Sequence, residues 1–61
     1  MITITVTKNL VNGTGETDFV KGQDYEVISP LEPFKITEHT MVINEFKQLH
    51  KLGNWAKYFK S

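Results

Sequence analysis

The sequence predicts a mainly β fold, and three stretches carry that expectation. Met1–Thr7 alternates cleanly, with Ile2, Ile4 and Val6 on one face and Thr3, Thr5 and Thr7 on the other. Period two is the signature of a half-buried strand, and threonine keeps β propensity on the face left in water. Lys21–Ile28 joins a Lys-Gly turn signal to a second alternation, Tyr25 and Val27 against Asp24, Glu26 and Ile28. Pro30 and Pro33 then stop that strand, because proline lacks the amide proton a central ladder needs.

Size and composition bound the rest. A single domain over residues 1–61 is expected, and a chain this short buries only about 60% of its unfolded surface. It has no cysteine, so disulfides and thiolate metal sites are excluded, and seven aromatics must help hold the core. No signal-peptide pattern opens the chain, and no apolar run approaches the length of a membrane span. A soluble, cytoplasmic protein is therefore expected.

Taken in order, strands are expected near 2–8, 23–29, 34–43 and 48–52, with a short last one near 57–60. Residues 9–18 read as a polar loop, reversed at Asn12-Gly13 and Gly15, with Leu10 and Val11 partly packed. Asn12-Gly13-Thr14 is formally a glycosylation sequon, but with no secretion signal in the sequence its Asn-Gly is read as a turn. Pro30-Leu31-Glu32-Pro33 has the spacing of a ligand for aromatic-grooved modules. Its position between two strands favours a connecting turn.

The stretch 41–52 supports two readings. Ile43, Phe46, Leu49 and Leu52 recur at three-residue spacing among good helix formers, with Gly53 placed to stop a helix. That gives an α+β alternative, a three-stranded sheet covered by a helix over 41–52. The other reading is a hairpin turning through Glu45-Phe46-Lys47, although no glycine stands in that turn. Local signals favour the helix.

Met1–Thr7, the Lys21-Gly22-x-x-Tyr25-x-Val27-Ile28 stretch, a strand pair over 41–44 and 48–52, and the Gly53–Phe59 tail together resemble small SH3-like barrels. Such barrels are common among short phage and prophage proteins. The resemblance spans most of the chain and shifts the reading of 41–52 from helix to hairpin. It implies an SH3-like five-stranded barrel with a short 3-10 turn near the C-terminus. It also implies a binding or scaffolding module without a cofactor, and it supplies no catalytic residues.

The expected core is Ile4, Val6, Phe19, Tyr25, Val27, Ile36, Val42, Leu49, Leu52 and Phe59. The chain is neutral overall but uneven: residues 1–38 carry a net charge of −3 and residues 39–61 a net +3. Trp55, Tyr58, Lys51 and Lys57, with Phe59 and Lys60 beside them, form the one candidate contact set, because aromatics beside lysines suit acidic partners or single-stranded nucleic acid. Their structural role competes with this: so small a domain can ill spare Trp55 from its core. Phe59 and Trp55 are expected at least half buried, with Tyr58 more exposed.

Other chemistries have thinner support. His39 and His50, eleven positions apart, lack the companions of a metal site. Gly13-x-Gly15 is followed by Glu16 and Asp18, which would repel a phosphate. No nucleophile–base motif is visible, and a cavity of about 300 Å³ or more is not expected. A non-enzymatic protein-interaction module is therefore the leading expectation, with a phage accessory factor as one form of it. A nucleic-acid binder using the basic C-terminal segment is the alternative, since zero net charge argues against phosphate binding. A homodimer through an open strand edge is compatible with either.

Overall fold

The computed structural model describes residues 1–61. Its strands are β1 (Thr3–Val6), β2 (Leu10–Val11), β3 (Thr17–Phe19), β4 (Asp24–Ser29), β5 (Met41–Ile43), β6 (Leu49–Lys51) and β7 (Phe59–Lys60), with a 3-10 helix at Gly53–Tyr58 before β7. Five strands form an antiparallel sheet in the order β6-β5-β4-β1-β7, and β2 pairs with β3 separately. The fold is mainly β, and 41–52 is a hairpin, not a helix. β6 and β7 are the two sheet edges.

Alternation of side chains decides which face is covered. Ile4 and Val6 of β1, Tyr25 and Val27 of β4, Val42 of β5 and Phe59 of β7 turn inward and are buried. Leu10 and Phe19, from the β2–β3 hairpin, close the core from the other side together with Leu52. Phe19 is fully buried and meets Tyr25, His50, Trp55 and Phe59 edge to face, at centroid distances of 4.9 to 6.1 Å. Edge-to-face contact aligns the positive ring edge with the negative face of the neighbour.

Three expectations need correction. The segment read as a loop over 9–18 contains β2 and β3, and Leu10 belongs to the core. The strand expected over 34–43 begins only at Met41. Before it, buried Thr40 accepts from the Thr37 amide at 2.9 Å and donates to the Lys35 carbonyl at 3.2 Å, while its own amide bonds to the Thr37 carbonyl. A turn satisfied by a hydroxyl thus replaces ladder pairing. Leu49 is 58% exposed, because Ile43 and Leu49 are cross-strand partners on the outer face, and Ile36 is only half buried.

Two hairpin turns share one geometry. In Asn12–Glu16 the Asn12 amide donates to the Glu16 carbonyl at 2.8 Å and the Gly15 amide to the Asn12 carbonyl at 3.0 Å. The Asn12 side-chain oxygen accepts from the Thr14 and Glu16 amides at 2.9 and 3.1 Å. In Asn44–Gln48 the corresponding backbone bonds are 2.9 and 3.0 Å, and the Asn44 side-chain oxygen accepts from Phe46 and Gln48 at 2.9 and 3.0 Å. The fourth residue is left-handed in both, Gly15 at φ 89° and Lys47 at φ 63°.

Candidate functional site

The 3-10 helix and the β1–β7 pairing position the candidate contact residues. Gly53 takes φ 55°, the Trp55 amide bonds to the Leu52 carbonyl at 3.0 Å, and the Phe59 amide bonds to the Ala56 carbonyl. Val6 then pairs with Phe59 and Thr5 with Lys60. Thr7 fastens the end of the helix: its amide and its hydroxyl both donate to the Tyr58 carbonyl at 2.8 Å.

That pairing gathers cations from distant parts of the chain. The Lys8 and Lys57 ammonium groups lie over the Tyr58 ring, 4.7 and 5.3 Å from its centroid. Beside Thr7, a shallow cleft of about 240 Å³ is lined by Thr5, Val6, Thr7, Lys21, Gly22 and Lys60. Four of the seven lysines therefore lie either over the Tyr58 ring or in the cleft beside Thr5 and Thr7. Asp24, which accepts from the Thr5 hydroxyl at 2.5 Å, marks the acidic margin of this patch.

The four residues singled out from the sequence divide. Lys57 and Tyr58 are in contact, and Tyr58 is partly buried. Trp55, also partly buried, stacks on His50 at 5.5 Å with rings 5° from parallel. Lys51 lies on the outer face of β6, across from Met41. Lys60 was part of the sequence-derived set, whereas Lys8 and Lys21 were missed because both sit in the acidic half of the sequence. Pairing of the first strand with the last is the signal that brings them in.

A second polar cluster joins the hairpins. Tyr25 accepts from the Val20 amide at 2.7 Å and donates to Glu45 at 2.6 Å. Burial first, and the Glu45 carboxylate second, push its phenol up to about 12. Asp18 is buried, accepts from the Asn12 side-chain amide at 3.1 Å and lies 3.9 Å from His50. A cleft of about 310 Å³ runs beside Tyr25 and is lined by Gln23, Asp24, Glu26, Ile43, Asn44, Glu45 and Lys47, so the chain has more concave space than its length suggested. No group of three histidine, cysteine or carboxylate side chains is arranged to hold a metal ion. No helix is long and apolar enough to cross a membrane.

Neither the family models nor the curated proteins and solved structures compared with this chain give a match.

Proposed function

We propose that this chain is a non-enzymatic protein-interaction module that docks an acidic partner surface on the Tyr58 patch. The observation that carries this reading is the convergence of Lys8, Lys21, Lys57 and Lys60 around Tyr58, Thr5 and Thr7. Clustered cations steer an acidic partner and fix its orientation, and the Tyr58 ring holds two of them in place. An SH3-like organisation belongs to the same proposal. Its support is the element order: a first strand, a hairpin excursion, the Lys21-Gly22 strand, a second hairpin, a 3-10 helix and a last strand beside the first.

Nucleic acid is the second reading, since four lysines would also suit phosphates. Sequence-tolerant binders of single strands offer free aromatic faces on which bases stack. Here the ammonium groups of Lys8 and Lys57 lie over Tyr58, and Trp55 has His50 stacked on it. A base would have to displace them. Affinity capture from lysate, with and without nuclease, separates the two using the parent chain and a Lys8→Glu/Lys57→Glu variant. The expected result is a defined protein retained after nuclease by the parent and lost by the variant. Loss of all binding with nuclease would make nucleic acid the partner.

A further inference from the structure

The β6 edge offers a surface that the Tyr58 patch does not use. The Asn44 amide bonds to the Gln48 carbonyl and the Leu52 amide to the Thr40 carbonyl, and Val42 pairs with His50 between them. Hydrogen-bonded and non-hydrogen-bonded pairs alternate along an antiparallel ladder, so the backbone groups of Leu49 and Lys51 turn away from β5. β6 has no second paired neighbour. The opposite edge is different: the Phe59 amide already donates to the Ala56 carbonyl.

Side chains around the β6 edge select what could pair with it. Leu49 is exposed on the outer face, beside Ile43 and near Met41, and Phe46 is exposed in the adjoining turn. The segment from Lys47 in the turn to Lys51 at the end of β6 carries two lysines and one histidine and no carboxylate. A second copy paired about a two-fold axis at His50 would bring the two Lys51 side chains into diagonal positions, about 7–8 Å apart, where like charges repel. Lysine on an edge strand blunts self-pairing in this way. An acidic strand meets no such repulsion.

We infer that β6 accepts an extended segment of a partner protein as a sixth strand, with an apolar side chain beside Leu49 and a carboxylate beside Lys51. Main-chain bonds to Leu49 and Lys51 would hold the segment, and the two outward side chains would set its sequence preference. This site is separate from the Tyr58 patch and stands or falls independently of it.

The test uses a capped hexapeptide alternating glutamate, threonine, valine, threonine, glutamate and threonine, and a control with lysine in place of glutamate. Each is titrated into the isotopically labelled chain. With the glutamate peptide, the Leu49 and Lys51 amides should shift and their hydrogen exchange should slow about tenfold once the peptide exceeds its Kd tenfold. The lysine peptide should leave them unchanged. Leu49→Pro removes a donor that β5 does not use and should abolish the response; Lys51→Glu should reverse the peptide preference even if the proline variant folds poorly. Equal response to both peptides, no response at millimolar concentration, or protection of both amides in the free monomer would overturn the inference. So would concentration-dependent shifts at these amides without peptide, which would make a second copy the occupant.

Discussion

The Asn12–Glu16 and Asn44–Gln48 turns use the same four backbone and side-chain bonds, yet differ at the residue that must be left-handed. Gly15 occupies that position in the first turn and Lys47 in the second. A left-handed conformation costs an L-residue roughly 1–2 kcal/mol and glycine almost nothing. The first turn is therefore relaxed and the second strained. What holds the second is its surroundings: Asn44 is buried, the Glu45 amide donates to the Asp18 carbonyl at 2.8 Å, and the Glu45 carboxylate accepts from Tyr25. A local rule can be broken where tertiary bonds fix the same backbone. The strained turn is also the one that leads into the open β6 edge.

The largest break in this comparison should come from the hairpin strands. Leu10→Ala empties a core position in the first hairpin and should cost about 2–5 kcal/mol, enough to leave much of the chain unfolded in a urea titration. Next in size, Asn44→Ala should cost about 2 kcal/mol by the same measurement, because it orphans partly buried amides. Asn12→Ala should cost a comparable amount: water can replace its exposed bonds to Thr14 and Glu16, but its side-chain amide is the partner of buried Asp18.

Tyr25→Phe removes the bridge between the hairpins and should cost about 1–2 kcal/mol at neutral pH. Its pH dependence is a sharper signature. Folding favours the protonated phenol, so the parent's extra stability is complete below pH 10 and is lost as pH rises toward about 12. Unfolding followed by circular dichroism across that window should show a loss in the parent that the phenylalanine variant lacks.

Exchanging the left-handed residues tests the strain itself. Lys47→Gly should raise stability by up to about 1 kcal/mol and Gly15→Ala lower it by about 1 kcal/mol, read as opposite shifts in Tm. The smallest effect belongs to Leu49→Ala, within about 0.5 kcal/mol, because the side chain stands in solvent on the free edge.

Long alternating runs made much of this architecture legible from sequence. Met1–Thr7 and Asp24–Ile28 each show more than two periods of the pattern, and they became β1 and β4. β2 and β3 are too short to show a period, and β3 buries the consecutive residues Asp18 and Phe19. Leu49 belongs to the core expected from sequence, whereas strand alternation in the hairpin turns it outward. Lys57 and Tyr58 could be paired from sequence because they are neighbours. Lys8 could not, because its place over Tyr58 depends on a strand pairing that spans almost the whole chain.

That same pairing governs the order in which the fold assembles. β1 meets β4 through a shorter connection, but its second neighbour, β7, brings in Phe59 and Lys60 from the far end of the fold. Phe19 likewise waits for His50, Trp55 and Phe59 before its ring is enclosed. Contacts of such long sequence separation form slowly and leave apolar surface bare in the meantime. Until Phe59 and Lys60 reach β1, the folding chain therefore carries a half-paired strand and an open aromatic nest.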